Sequence, residues 1–206
     1  MSEMILEQRA NAEAVRIHLR PALEMTDEQF FALCQINRDL RIERTAQGDL
    51  IVMPPTGWMT GVRNAEITTQ LKTWSKRDGR GIATDSSTGF KLPNGADRSP
   101  DAAWVLRTRL ADLTPEQKRK FLPLCPDFII ELRSPTDGLP DIKAKMDEYF
   151  TNGAQLGWLI DPEEKRIHIY RPSVTPEILD NPASVSADTV LTGFTLDLGE
   201  IWEPSI

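Results

Sequence analysis

The chain has 206 residues, of which 40% are hydrophobic and 27% are charged, as in an ordinary globular domain with one core. No apolar run is long enough to span a membrane, and the N-terminus lacks the basic start and apolar stretch of a signal peptide. We therefore expect a cytoplasmic protein with no membrane partner. Cys34 and Cys125 are isolated from each other, a pattern that indicates neither a disulfide framework nor a zinc site.

The net charge of −7 is concentrated at the C-terminus. Residues 172–206 hold six of the 31 acidic side chains and none of the 24 basic ones, which leaves a net charge of −1 for residues 1–171. This near-neutral body lacks the basic footprint that is typical of nucleic-acid-binding proteins, but it does not exclude a nucleic-acid partner.

Hydrophobic periodicity and turn signals predict helices that alternate with strands. Thr26, with Gln29 three residues later, is a capping-box signature at the start of the first helix. In chain order, the pattern predicts a helix at 27–37, a hairpin of strands at 40–44 and 50–53, a helix at 61–77, strands at 82–84, 89–92 and 102–106, a helix from Thr114, a strand at 127–132, a helix at 140–150, a hairpin of strands at 156–160 and 167–170, and a strand at 190–198.

This alternation predicts an α/β fold with a mixed central β-sheet flanked by helices. Residues 1–24 carry weak signals and are interpreted as a lead segment. Residues 25–171 are interpreted as the main domain. Residues 172–206 are interpreted as an acidic extension that packs on that domain.

Glu131 is the most unusual residue of the predicted strands. It interrupts the apolar run Phe128–Leu132, which is bounded by prolines and is typical of a strand buried on both faces. A carboxylate in such a strand is costly unless a cation or hydrogen-bond donors hold it. The sequence offers Arg133, Lys145 or a bound metal ion as its partner.

Asp101 stands at the start of another predicted strand, 30 residues before Glu131. If the two strands are neighbours, their carboxylates would meet, and two converging carboxylates suit Mg²⁺. The alternative is a turn aspartate together with a glutamate that is ion-paired with Arg133 or Lys145, and the spacing leaves both interpretations open. Glu66, on the predicted helix 61–77, is a further candidate that would complete a metal shell through water, although a structural role is more usual for such an acid.

These residues carry a resemblance to a known family. Pro100-Asp101, followed after 30 residues by Glu131-Leu132-Arg133, resembles the PD-(D/E)XK arrangement of restriction-endonuclease-like folds. The wider segments are similar to the Uma family of endonucleases, formerly a domain of unknown function, over about Met25 to Pro172. They are Arg98–Asp101, Pro126–Pro135, the helix that carries Lys145 and Tyr149, and Gly157–Pro162.

The resemblance implies a restriction-endonuclease-like core and hydrolysis of DNA phosphodiester bonds with Mg²⁺, for which Mn²⁺ substitutes. It implies Asp101 and Glu131 as metal ligands. The lysine that the superfamily carries two residues after the glutamate is Arg133 here. We therefore expect Lys145 to supply the amine from the neighbouring helix, since burial and a bound metal both act to lower the pKa of a lysine. We also expect Asp101, Glu131 and Lys145 to converge on a solvent-open site at one edge of the sheet.

Three functions remain open from the sequence. The first is a Mg²⁺-dependent DNA endonuclease. The second is a binding or regulatory module whose catalytic site has lapsed, which is favoured by Arg133 at the lysine position and by the weak basic balance. The third is a metal-dependent hydrolase of a small phosphate ester. DNA is the expected partner in the first case, and the sequence also leaves a homodimer open.

Overall fold

The structure is a computed structural model and describes residues 14–205; the first 13 residues of the predicted lead segment lie outside the described residues. The strands are β1 (Val15–Ile17), β2 (Arg41–Arg44), β3 (Leu50–Met53), β4 (Gly81–Asp85), β5 (Phe90–Lys91), β6 (Asp97–Arg98), β7 (Ala102–Leu106), β8 (Phe128–Leu132), β9 (Leu156–Asp161), β10 (Arg166–Tyr170), β11 (Glu177–Asp180), β12 (Ser184–Ser186) and β13 (Thr195–Asp197). The helices are α1 (Asp27–Ile36), α2 (Trp58–Asp78), α3 (Arg107–Ala111), α4 (Leu139–Thr151) and α5 (Gly199–Trp202).

A six-stranded sheet in the order β11-β10-β9-β8-β7-β4 forms the centre of the molecule. Strands β8 and β9 run parallel and the other neighbours run antiparallel, which confirms the predicted mixed sheet. Helix α4 is the crossover that a parallel pair requires. Every residue of β8 is buried, as its apolar run predicts.

Helices α2 and α4 cover opposite faces of this sheet. The α2 side holds a core of large apolar side chains, among them Ile67, Leu71, Trp74, Trp104, Phe128, Trp158 and Phe194. On the α4 side, Met146 and Tyr149 pack against Ile129 and Leu159. A Cβ atom at Gly157 would lie 2.8 Å from Ile129 Cδ1 and 2.9 Å from Met146 Cε, so the glycine allows the close approach of α4.

A second, five-stranded sheet has the order β1-β3-β2-β6-β5 and is antiparallel. Helix α1 packs against one face of it through Phe30, which contacts the cluster of Ile42 and Leu50. The predicted capping box of α1 is confirmed, because Gln29 N donates to Thr26 Oγ1 and Thr26 N donates to Gln29 Oε1.

The predicted helix from Thr114 is wrong. Thr114 and Gln117 form capping-box hydrogen bonds, but only a 3₁₀ turn over Gln117–Arg119 follows. Residues 114–120 are exposed and offer no apolar stripe, and so short a helix is not stable without one. The predicted strands at 82–84 and 89–92 exist as β4 and β5 but belong to different sheets.

The C-terminal residues contribute to the main core. Apolar side chains of this segment, such as Phe194, Leu196 and Ile201, are buried together with those of α2. The predicted strand at 190–198 is shortened to β13, and β11 and β12 were not predicted. Among the described residues, no helix combines the length and the apolar character needed to cross a bilayer.

Candidate active site

Asp101 and Glu131 lie side by side at one edge of the six-stranded sheet. Strands β7 and β8 are antiparallel with Ala102 opposite Ile130, so the residue before β7, Asp101, lies beside Glu131. Asp101 Oδ2 accepts a hydrogen bond of 2.9 Å from Leu132 N, which ties its carboxylate to β8. The two carboxylates that the sequence singled out therefore meet at one place.

Helix α4 brings Lys145 to the same place. Lys145 Nζ lies 2.8 Å from Glu131 Oε1, and one turn later Tyr149 OH donates to the same oxygen at 2.9 Å. Lys145 is thus the cation that the buried Glu131 requires.

A third carboxylate, which the sequence interpretation missed, completes the cluster. Glu43 on β2 places Oε1 2.9 Å from Lys145 Nζ. The same carboxylate accepts hydrogen bonds from Ser99 N at 2.9 Å and from Arg98 Nη1 at 3.1 Å. In the sequence, Glu43 is only a polar residue of an alternating strand. Its burial comes from the packing of the two sheets, which leaves no local signal.

Arg41 lies on β2 at the most exposed side of the cluster. Its side chain is 29% exposed, against 8% for Asp101, and Arg41 Nη1 lies 3.2 Å from Asp101 Oδ1. Asn64 of α2 donates to the same oxygen at 3.4 Å. Arg41 Nε is buried and has no hydrogen-bond partner among residues 14–205.

The site is largely buried, so the expectation of a solvent-open site is wrong. Taken as whole residues, Asp101 and Glu131 are only 6% and 5% exposed, because the five-stranded sheet covers the edge where they lie. Access to the carboxylates is on the side of Arg41 and Lys145, whose side chains are 29% and 16% exposed.

The cluster shifts the pKa values of its acids in opposite directions. Burial, with the nearby charges of Asp101 and Glu43, raises the pKa of Glu131 to about 7 although Lys145 opposes it. Burial also acts to raise the pKa of Glu43, but Lys145, Arg98 and Arg41 outweigh it and lower the pKa to about 2. Near neutral pH, Glu43 is therefore ionised while Glu131 titrates.

Burial does not give Lys145 a low pKa in this charge network, and the effect of a bound metal on it stays a prediction. Burial acts to lower the pKa of Lys145, but the two carboxylates of Glu131 and Glu43 outweigh it and raise the pKa above its usual value. Lys145 therefore carries an ammonium at neutral pH, which stabilises negative charge but does not accept a proton.

Arg133 lies outside the cluster. Arg133 Nη1 forms an ion pair of 2.8 Å with Asp161 Oδ2, and Arg133 Nε donates to Asp137 O at 3.3 Å. Its backbone N still donates to Ile160 O of β9 at 2.9 Å, which places Arg133 beside Asp161 on the neighbouring strand. Of the two cations offered by the sequence for Glu131, the structure selects Lys145.

Glu66 also lies apart from the carboxylates. Its Oε1 accepts a hydrogen bond of 2.9 Å from Gln70 on the same helix. The α2 residue that contacts Asp101 is Asn64, and side chains two residues apart on a helix point in nearly opposite directions.

The donor chemistry fits one hard cation. Mg²⁺ binds proteins through one or two carboxylates and keeps several waters, and Asp101 with Glu131 offers such a pair. No hydrogen bond from residues 14–205 reaches Glu131 Oε2, which leaves this oxygen open to a ligand. In the part of the chain that the structure describes, no three His, Cys, Asp or Glu side chains are arranged to hold a metal ion, so Asp101 and Glu131 would hold it as a pair and water would supply the other ligands.

Comparisons with known proteins agree with this architecture. The sequence profile of the family Uma2, described as "Putative restriction endonuclease", matches residues 27–199, a range that contains the whole cluster. No curated protein matches the sequence. Among solved structures, the chain is similar to a "putative nuclease belonging to DUF820" from Anabaena variabilis ATCC 29413, with a TM-score of 0.72 and 19% sequence identity over 87% of this chain and 98% of that chain. At this identity, the likeness shows a shared fold.

Proposed function

The chain belongs to the Uma2 family, and on that basis we propose that it is a Mg²⁺-dependent endonuclease that hydrolyses phosphodiester bonds in DNA. The family and the structural neighbour both support a nuclease. The proposal of Mg²⁺-dependent DNA cleavage is supported by one junction of side chains, in which the carboxylates of Asp101 and Glu131 meet the ammonium of Lys145. Lys145 Nζ lies 2.8 Å from Glu131 Oε1.

Each residue of the junction has a chemical role in this proposal. Asp101 and Glu131 would hold Mg²⁺, or Mn²⁺ in its place. When bound, such an ion activates a water molecule and offsets the charge of a phosphate. The Lys145 ammonium stabilises negative charge that develops on the phosphate oxygens. Tyr149 fixes the orientation of Glu131 through its hydroxyl group.

A second candidate is a binding or regulatory module on the same fold with a lapsed catalytic site. One observation favours it: Asp101, Glu131 and Glu43 are each ion-paired with a cation of the chain, as in a structural network. A charge network of this kind stabilises a fold without any metal ion.

Cleavage of supercoiled plasmid DNA separates these functions. The wild type should nick the plasmid with Mg²⁺ or Mn²⁺ and not with EDTA, and Asp101→Asn should abolish nicking. Asp127→Asn is the matched control, because Asp127 is a buried carboxylate that pairs with Arg109 away from the site. Binding of DNA without nicking under any metal would favour the lapsed module. Hydrolysis of bis-p-nitrophenyl phosphate but not of DNA would indicate a small-ester hydrolase.

A further inference from the structure

Lys145 forms ion pairs with two carboxylates, those of Glu131 and Glu43. We propose that Glu43 is a positioning residue, which keeps the Lys145 ammonium paired when Glu131 binds a divalent cation. The inference rests on the proposed function, since it concerns the same site, and it adds a role for a residue that the PD-(D/E)XK motif does not contain.

The geometry gives Lys145 two equivalent partners. Lys145 Nζ lies 2.8 Å from Glu131 Oε1 and 2.9 Å from Glu43 Oε1. The side chain of Lys145 is only 16% exposed, and a buried ammonium without a counter-charge is strongly destabilising. A cation that draws the Glu131 carboxylate away would leave Lys145 unpaired if Glu43 were absent.

Glu43 is held in place independently of Lys145. Ser99 N donates to Glu43 Oε1 at 2.9 Å, and Arg98 Nη1 donates to Glu43 Oε2 at 3.1 Å. Arg98 is fixed in turn by Glu148, whose Oε2 accepts from Arg98 Nε at 2.6 Å. The side chain of Glu43 is 3% exposed, so it has little freedom to follow the ammonium. The carboxylate is thus a fixed anchor on which Lys145 remains.

Glu131 has the freer carboxylate of the two partners of Lys145. Both oxygens of Glu43 accept hydrogen bonds from the chain, whereas Glu131 Oε2 accepts none from residues 14–205. In this proposal Glu131 binds the cation and Glu43 acts on it through Lys145, and a direct action of Glu43 is the alternative that the experiment separates.

A double-mutant cycle on Mn²⁺ affinity tests this indirect action without any activity measurement. Isothermal titration calorimetry with Mn²⁺ would compare the wild type, Glu43→Gln, Lys145→Met and the double variant. Glu43→Gln alone should weaken Mn²⁺ binding about 10- to 100-fold, the usual effect of losing a residue that supports a metal ligand. In the Lys145→Met background, the same change should alter the affinity by no more than about 2-fold, since the residue through which it acts is gone.

The outcomes separate this inference from the proposed function. An equal loss of affinity in both backgrounds would show Glu43 acting on the cation directly and would overturn the inference. Unchanged Mn²⁺ binding by Glu43→Gln would also overturn it, while the metal-dependent function would stand. If neither the wild type nor Lys145→Met bound Mn²⁺, both the inference and the metal-dependent function would be rejected. Where Glu43→Gln does not fold, Glu43→Asp keeps the charge but shortens the reach, and the same difference between backgrounds is expected.

Discussion

Two clusters of buried charges lie back to back on strands β2 and β6. Arg44 and Asp97 face helix α1, whereas their sequence neighbours Glu43 and Arg98 face the candidate active site. Both clusters join the same two strands by ion pairs, at 2.7 Å for Arg44 with Asp97 and 3.1 Å for Arg98 with Glu43. They share their strands and their burial, but they differ in their balance of charge.

The cluster beside α1 is balanced. Two cations, Arg44 and Lys91, pair with two acids, Asp27 and Asp97. The cluster at the site has a surplus of acid, in which the side chains are Asp101, Glu43, Glu131 and Glu148 against Arg41, Arg98 and Lys145. Burial is the largest cause of the raised pKa of Glu131, and the surplus acids Asp101 and Glu43 add to it. Burial also raises the pKa of Asp97 in the balanced cluster, so the two clusters differ in their balance of charge and not in the presence of a raised pKa.

The largest expected effect is the loss of metal-dependent cleavage, and we expect it only for variants of the cluster at the site. Glu131→Gln and Asp101→Asn should each abolish it, because they remove the carboxylates proposed to bind the cation. Asp97→Asn in the balanced cluster should leave cleavage per folded molecule unchanged. Plasmid nicking at equal concentrations of folded protein measures this. Equal losses for all three variants would mean that the two clusters do not differ in function.

The next effect concerns Lys145. Lys145→Ala should lower single-turnover cleavage by about 10²-fold or more, the scale of one lost charge-stabilising group, with a smaller change in KM. Arg133→Ala should cleave at nearly the wild-type rate, because Arg133 pairs with Asp161 outside the cluster. Arg133→Lys should likewise retain activity. A near-normal rate for Lys145→Ala together with a collapse for Arg133→Ala would reject the proposal that Lys145 takes the role of the superfamily's lysine.

Stability should respond in opposite directions in the two clusters. Asp97→Asn should lower the free energy of unfolding by about 1–2 kcal/mol, because it removes the buried partner of Arg44 and leaves the more exposed Asp27 to pair with it. Asp101→Asn and Glu131→Gln should maintain or raise the Tm of the metal-free protein, because they relieve repulsion among acids. Thermal and urea unfolding in EDTA measure both. A marked drop in Tm for both site variants would instead support a purely structural ion-pair network.

The pH dependence of this stabilisation has a defined sign. The pKa of Glu131 is about 7 in the folded protein and near 4.5 when unfolded, so its contribution to stability is present below pH 4.5 and is lost as the pH rises through 7. Glu43, with a pKa of about 2, contributes stability above pH 4.5 that is lost as the pH falls through 2. The gain in Tm of Glu131→Gln over the wild type should therefore grow from pH 4.5 to 7 and then level off. A gain that shrinks over this range would contradict the surplus-acid interpretation.

The core of the site was predictable because each signal was local. Glu131 interrupts a doubly buried apolar strand, and Lys145 and Tyr149 share a helix face by their spacing. Glu43 was not predictable, because its strand alternates like any amphipathic strand and only the second sheet buries it. The choice between Arg133 and Lys145 likewise depended on a neighbouring strand, because Asp161 of β9 pairs with Arg133.

Most element positions could also be predicted from periodicity, but their assembly could not. Strands β4 and β5 are consecutive in the chain, yet they join different sheets, and no local pattern indicates this. The capping signal at Thr114 forms its hydrogen bonds, but the exposed residues that follow offer no apolar face to extend the helix. In both places tertiary packing, and not local preference, decides the structure.

The smallest effect is expected at Glu66, an acid near the site that lies outside both clusters. Its carboxylate accepts a hydrogen bond from Gln70, and Gln70 also binds the backbone of Asp197 in the C-terminal segment. Glu66→Gln should thus change Mn²⁺ affinity and cleavage little and stability by about 0.5 kcal/mol or less. Calorimetry with Mn²⁺ beside Glu131→Gln, which should lose binding, gives the contrast. A clear loss of Mn²⁺ affinity in Glu66→Gln would place Glu66 in the metal shell through water and extend the acid surplus onto α2.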